Sequence, residues 1–476
     1  MRNISKEQVL ERIRTENPWW NPPHEIPQRF SQLNPRPYLD LLHPLIETRA
    51  VRRAVVLMGP RQVGKTVMLH HAIQRLLAQK EIPTSIGYIS VDHPIYNGCA
   101  LEELLGVFET ATGTAYKTQS CVIFFDEIQY LRNWEVHLKQ LVDAYPNAKF
   151  IVSGSSAAAL RLRSSESGAG RFTGFLLPPL TFHEYLELSH QGDLVTITKE
   201  DDEEPLFQSQ KIDVLNQQFF QYLNFGGYPE VVLNPVIQRD PGRYIKSDII
   251  DKVLLRDLPS LYGIQDIQEL NYLFTTLAFN TANEESLDQL STGSGVAKNT
   301  IKRYMEYLEA AFLIRIVHRV DRRGRRFKRA NFFKVYLTNP SMRSALFSTM
   351  GINDPEAGFL VETGIFAQWF HAEDTKPRYA RWQKGEVDIV GLGRDEKVRW
   401  AVEVKWSDRF YQHPTELRAL LNFCHSHNLP KARVTTCTRF GEQTVENVTL
   451  EFQPASLYCF LLGYNIVHGK KIVSPS

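Results

Sequence analysis

One eight-residue stretch constrains this chain more than any other. Gly59-Pro60-Arg61-Gln62-Val63-Gly64-Lys65-Thr66 has the spacing G-x-x-x-x-G-K-[ST] in full. It follows an apolar run, Ala54–Met58, and precedes a helical pattern of Val67, Leu69, Ala72, Ile73 and Leu76. Strand, loop and helix in that order form a phosphate cradle. The glycines let backbone N–H groups wrap the phosphates, and the helix N-terminus adds a favourable dipole. Gly59, Pro60, Arg61, Gln62, Val63 and Gly64 are therefore expected to line the phosphates. Lys65 should reach the β- and γ-phosphates, and the Thr66 hydroxyl should ligate magnesium. The implied ligands are ATP and Mg2+.

The stretch 51–185 alternates short apolar strands with helical patterns, which predicts an α/β parallel sheet. The strands read from the sequence are Ala54–Met58, Ser85–Val91, Cys121–Phe125 and Lys149–Ser153. Cys121–Phe125 ends in two acids, Asp126 and Glu127. Two adjacent carboxylates at the exit of a buried strand are most easily explained by a metal and a reacting phosphate. Asp126 is the expected magnesium ligand, directly or through water, and Glu127 the residue that polarises an attacking water. Ser153 ends the next strand, where a polar sensor would touch the γ-phosphate. The Gly154-Ser155-Ser156 turn leaves the register open between Ser153 and Ser155. Arg171, in Gly168-Ala169-Gly170-Arg171, is a candidate arginine finger in cis or from a neighbouring subunit, with Arg161 and Arg163 as rivals.

The order of these motifs, followed by Pro179-Leu180-Thr181-Phe182 and Gly226-Gly227-Tyr228-Pro229, resembles a large bacterial and archaeal family. Its members have an AAA-type ATPase core, a winged helix and a C-terminal restriction-endonuclease-like domain of uncertain role. The resemblance runs from residue 15 to 465. It implies sensor and finger places for Ser153 or Ser155 and for Arg171, and it supplies no substrate. The Gly-Gly-Tyr-Pro turn has no chemistry of its own in this reading.

The remaining organisation follows from pattern. Residues 1–50, with Pro18-Trp19-Trp20, read as an arm packed on the next domain. Residues 186–285 read as a helical lid region with an acidic, solvated insertion around Lys199–Glu204. Residues 286–335 read as a winged helix, with a helix over Val296–Ala311 and strands at Phe312–Val320 and Asn331–Leu337. Val296, Ile301, Tyr304 and Leu308 form its buried face, which leaves Lys298, Asn299, Lys302 and Arg303 for a DNA groove. The tip Arg322-Arg323-Gly324-Arg325-Arg326-Phe327-Lys328-Arg329 adds phosphate-binding charge. DNA is therefore the expected macromolecular partner. Self-association is left open.

Residues 336–476 are expected to form a separate α/β domain of helix, strand, strand and helix. Asp388 lies on one short strand and Glu403 and Lys405 on another. Strand period two puts Glu403 and Lys405 on one face. This D-x14-E-x-K spacing is similar to the PD-(D/E)xK nuclease superfamily, with Glu362 as the extra helical acid. Val387 stands where a proline often precedes the first acid. Asp388 and Glu403 would bind magnesium, Lys405 would help activate water, and Glu386 is a weaker ligand candidate. His413, His425 and His427 show no metal spacing.

Composition excludes little. The chain has 476 residues, 43% hydrophobic, with a net charge of +2, so only local clusters can identify partners. Its five cysteines lack C-x-x-C spacing, and reduced thiols in the cytosol are expected. No run approaches a membrane span, and the first residues lack the apolar core of a signal peptide. The fold class expected is thus α/β: a P-loop ATPase, lid, winged helix and nuclease-like domain. The function expected is ATP hydrolysis coupled to a DNA-engaging module with a nuclease-like effector. The alternative is an ATP-dependent switch or DNA-binding regulator whose nuclease-like domain only binds partners.

Overall fold

Apolar strands without polar alternation can be satisfied only where both faces are covered. The first sheet does this with β1 (Ala54–Met58), β2 (Ile86–Ser90), β3 (Cys121–Asp126), β4 (Ala148–Gly154) and β5 (Phe172–Leu176). They run in the order β2-β3-β4-β1-β5, and every pairing is parallel. Its longer helices, among the described residues, are α1 (Lys6–Glu16), α2 (Tyr38–Glu47), α3 (Lys65–Ala78), α4 (Leu101–Thr112) and α5 (Trp134–Ala144). The computed structural model describes residues 5–155, 170–198, 206–324, 332–369, 371–372 and 376–468.

Residues 1–178 and 179–476 form two compact units. In the first, the N-terminal arm covers the exposed edge of the sheet. Asn17 mimics a strand: its Nδ2 donates to the Tyr88 carbonyl at 2.8 Å, and its Oδ1 accepts from the Tyr88 amide at 2.7 Å. Trp19 and Trp20 both donate Nε1–H to the Ile86 carbonyl. This saturates an edge that would otherwise template another chain. The paired tryptophans are anchors, as expected. Strand β5 was missed: Gly174 and Thr173 interrupt its apolar pattern, and it lies at the other edge of the sheet.

The second unit begins with α6 (Phe182–Leu188), a hairpin of β6 (Thr196–Thr198) and β7 (Leu206–Gln208), and α7 (Ile212–Phe225). Then come α8 (Ile267–Phe279), β8 (Glu284–Ser286), α9 (Leu287–Ser294), α10 (Lys298–Ala310), β9 (Ile314–Val320) and β10 (Phe332–Leu337). The C-terminal part holds α11 (Ala357–Trp369), β11 (Arg378–Trp382), β12 (Gly385–Leu392), β13 (Val398–Glu403) and α12 (Arg418–His427). It closes with β14 (Lys431–Thr436), β15 (Gly441–Val445), β16 (Val448–Pro454) and α13 (Ala455–Val467).

The expected break at residue 336 is absent from the structure. One nine-stranded sheet, β15-β16-β14-β13-β12-β11-β9-β10-β8, runs across it, because β11 pairs in parallel with β9 through Tyr379 and Arg319. One apolar core also unites Phe182, Phe219, Tyr336, Val361, Ile389 and Phe460. The C-terminal pattern is also richer than helix, strand, strand, helix, since it contributes six strands, β11 to β16.

The Gly-Gly-Tyr-Pro turn has a packing explanation. A Cβ on Gly227 would fall 1.3 Å from Asn339 Nδ2, and one on Gly226 2.5 Å from the Tyr222 Cα. The Gly227 carbonyl accepts from the Leu180 amide at 2.9 Å. Thr181 in the neighbouring motif caps α6, with its hydroxyl accepting from the Glu184 amide at 3.1 Å.

Candidate functional sites

The phosphate loop leaves the carboxyl end of β1, the end where ligands sit in parallel α/β sheets. Its glycines are required by geometry. Gly64 has φ 91°, a left-handed conformation. A Cβ on Gly59 would approach the Leu177 carbonyl oxygen to 2.1 Å. Lys65 is 6% exposed, and its ammonium turns back onto the Gly59 and Pro60 carbonyls at 3.1 and 2.7 Å. Those are the weak partners a phosphate would replace.

Asp126 is the hub beside the loop. Its Oδ2 accepts from the Thr66 hydroxyl at 2.7 Å and from the Tyr88 hydroxyl at 2.8 Å. Its Oδ1 accepts from the Ser153 hydroxyl and, at 3.1 Å, from the Glu127 amide. Burial and the Asp126 charge push the Tyr88 phenol well up, so it stays a donor.

Glu127 stands at φ 56°, ψ 43°, an unfavourable conformation for a side chain and one that accumulates at functional sites. Burial raises its pKa, while the Lys65 charge opposes the shift. Gln129 donates to Glu127 Oε2 and accepts the Ser155 amide at 3.1 Å through Oε1. Ser153 therefore braces the Asp126–Glu127 corner. Ser155, just past β4, keeps a buried hydroxyl with no hydrogen bond among the described residues. On α3, His70 stacks on Phe30 at 3.9 Å and donates Nδ1–H to the Thr66 carbonyl at 2.9 Å. Burial lowers its pKa to about 4, which keeps the ring neutral. Tyr88 and Gln129 were missed. A tyrosine in an apolar strand reads as core, whereas Gln129 was visible two residues after Glu127.

Arg171 is a correction. It lies at the amino end of β5, where Phe172 pairs with Ala54, whereas the phosphate loop follows Met58, paired with Leu176. The five residues of β5, at about 3.3 Å each, separate it from the loop by roughly 16 Å. It is ion-paired to Asp143 at 2.6 Å and does not reach the loop of its own chain, whereas the alternative of a finger for a neighbouring subunit is untouched by this placement. Arg161 and Arg163 lie outside the described residues.

The fold and this site define residues 51–186 as a P-loop ATPase domain of AAA type, and the same residues match the AAA domain family. Residues 216–355 match a domain family of unknown function. Two uncharacterized proteins of Methanocaldococcus jannaschii are similar to the chain, at 24% identity over 354 residues and 25% over 356. They cover 72% and 71% of this chain and 73% and 72% of their own length. An uncharacterized protein of Haemophilus influenzae is 24% identical over 66% of this chain and 74% of its own. Among solved structures, the Aeropyrum pernix ORC2 protein in ADPNP–ADP complexes overlays with TM-score 0.39 and 11% identity, covering 70% of this chain and 96% of that one. The Aeropyrum pernix ORC1 protein in complex with DNA gives TM-score 0.32 and 13% identity, covering 67% and 94%. Overlays at such scores transfer no function.

The second unit gathers a second set of charges. The β12–β13 register pairs Ile389 with Val402, which sets Asp388 opposite Glu403. Lys405 joins them, 2.8 Å from Glu403 Oε1 and 3.3 Å from Asp388 Oδ2. Asp388 Oδ2 also accepts the Val404 amide at 2.8 Å. From α11, Glu362 faces the same cluster, but its direct partners come from β10. Lys334 Nζ lies 2.9 Å from Glu362 Oε1 and 2.7 Å from Glu386 Oε1, and the Tyr336 hydroxyl donates to Glu362 at 2.6 Å. Burial and the Asp388 charge raise Glu403 to about 7. Although burial pulls Lys334 down, Glu362, Asp388 and Glu386 hold its pKa above the ordinary lysine value.

The residues singled out from the sequence thus converge. Among the described residues no group of three or more His, Cys, Asp or Glu is disposed to hold a metal ion. Two ammonium groups, Lys405 and Lys334, stand among the carboxylates. Lys334, 54 residues before Asp388, was missed because nothing in a strand pattern distinguishes it.

On α10, Lys298, Asn299, Lys302 and Arg303 are exposed while Ile301, Tyr304 and Leu308 are buried, as the periodicity requires. Val296 precedes the helix and is only partly buried. Arg322 and Arg323 are exposed; residues 325–329 of the basic tip lie outside the described residues. Among the described residues no helix is long and apolar enough to cross a membrane.

Proposed function

We propose that the domain at 51–186 binds ATP with magnesium and hydrolyses it. The observation that carries this is the contact of Thr66, Asp126, Ser153, Glu127 and Gln129 beside a loop whose lysine rests on backbone carbonyls. These residues fit the ligands. Gly64 adopts the left-handed turn that opens the loop to a phosphate, and Thr66 and Asp126 present two hard oxygens to a divalent cation. Thr66 and Asp126 would hold magnesium, which when bound neutralises phosphate charge. Lys65 leaves the Gly59 and Pro60 carbonyls for the β- and γ-phosphate oxygens. Glu127, held by Gln129, orients a water against the γ-phosphorus, and ADP and phosphate are released. Ser155, with its unsatisfied hydroxyl, is better placed than Ser153 to meet the γ-phosphate. The test compares purified Lys65→Ala and Glu127→Gln. The first loses tight ATP binding. The second retains binding and loses turnover, and unchanged turnover in both overturns the assignment.

For the second unit we infer a winged helix over β8, α9, α10, β9 and β10, built into the edge of a restriction-endonuclease-like sheet. The helix–helix–strand–strand order and the exposed cations of α10 support DNA engagement. The convergence of Glu362, Asp388, Glu403 and Lys405 supports the nuclease-like fold. With Lys334 neutralising Glu362 and Glu386, the cluster reads as an ion-paired relic that binds no metal and cuts no nucleic acid. This is the switch or regulator form of the function, with ATP state controlling a DNA-binding module.

A further inference from the structure

At the amino ends of β1 and β4, the end of the first sheet remote from the phosphate loop, several cations share one cavity. It measures about 170 Å3 and is lined by Arg49, Arg52, Arg53, Lys149, Ser120 and Tyr145 among others, none of them acidic. Lys149 is 6% exposed, and its ammonium makes one hydrogen bond among the described residues, to the Thr48 carbonyl at 3.0 Å. A carbonyl just past the end of α2 satisfies one N–H and leaves the charge uncancelled. Burial, with Arg49 adding to it, holds the Lys149 pKa below the ordinary value. Arg49 is engaged by Glu81 at 2.7 Å, whereas the Arg52 and Arg53 side chains are exposed and form no ion pair among the described residues.

A buried ammonium beside arginines costs free energy unless an anion joins it. Guanidinium groups match phosphate oxygens with paired N–H donors, and a lysine adds a point charge. The cavity has room for several water molecules and hence for a phosphate group. We propose that this cavity is a phosphate-binding site, distinct from the nucleotide site, filled by a phosphate of a nucleic-acid backbone or of a free phosphate compound.

The full-length Lys65→Ala chain, in which the phosphate loop is disabled, is titrated calorimetrically with inorganic phosphate against chloride at constant ionic strength. One phosphate per chain is expected, with affinity falling at least tenfold in Lys149→Met and in the Arg52→Ala/Arg53→Ala pair. Arg52 and Arg53 are exposed, so the pair keeps the test valid if Lys149→Met folds poorly. No binding, or equal binding in the variants, overturns the proposal. A second arm uses a labelled single-stranded oligonucleotide. Weaker binding in the arginine pair identifies a backbone phosphate as the source; unchanged oligonucleotide binding with lost phosphate binding identifies a free phosphate compound.

Discussion

Lys334→Met is the most informative single change in the second unit. The side chain is 4% exposed and bridges Glu362 and Glu386 at 2.9 and 2.7 Å. Methionine keeps most of its volume and removes its charge. Removing one partner of a buried ion pair costs about 3–5 kcal/mol. Glu362 then retains the Tyr336 hydroxyl and faces Asp388 without its nearest cation. Its escape is to take up a proton. Protonating an ordinary glutamate costs about 1.4 kcal/mol per pH unit above its pKa, hence about 5 kcal/mol at pH 8 and about 1.6 at pH 5.5. A carboxyl with a raised folded-state pKa is best tolerated at low pH and destabilises progressively as pH rises through that pKa. The variant should therefore lose about 3–5 kcal/mol at pH 8 and under about 2 kcal/mol at pH 5.5. Native-state hydrogen exchange on peptides covering β12 and β13 reads this local stability directly. Millimolar Mn2+ should recover part of the loss in the variant and leave the wild type unchanged. An equal loss at both pH values, or none at pH 8, would refute Lys334 as the internal counter-ion.

Two further outcomes are expected. Gln129→Ala should lower kcat for ATP by about tenfold, a part of the roughly 10²–10⁴-fold that a general base contributes in full, with KM little changed; a change confined to KM would assign Gln129 to binding. Replacing Lys302, Arg303, Arg322 and Arg323 by alanine should weaken duplex DNA binding irrespective of sequence. Each lost phosphate contact should remove about 0.9 from the slope of log K against log salt, and a wild type without salt-sensitive binding would make the winged helix a protein contact.

The nucleotide site was legible because its chemistry is contiguous. The loop, its lysine and its threonine occupy eight adjacent positions, and Asp126-Glu127 end one apolar strand, so each group is delivered to the carboxyl end of its strand, and parallel pairing through β4 brings the two ends together. The facing of Asp388 and Glu403 was legible for a related reason: two strands at hairpin distance with a period of two admit few registers. Other features depend on pairings between distant strands. Arg171 was misplaced because a residue near a strand can lie at either end of the sheet, and only the pairing of β5 with β1 says which. The boundary at 336 dissolved because β11 chose β9 as its neighbour, a choice that no local pattern encodes. Lys334 illustrates the limit most directly. From its own neighbours it is a lysine in a strand; only the tertiary packing of β10 against α11 and β12 surrounds it with carboxylates and pairs it with Glu362 and Glu386. Local sequence determined which groups could do chemistry, and the long-range strand order decided which charges meet, because Coulomb energy depends on distances that the chain sets only when it folds.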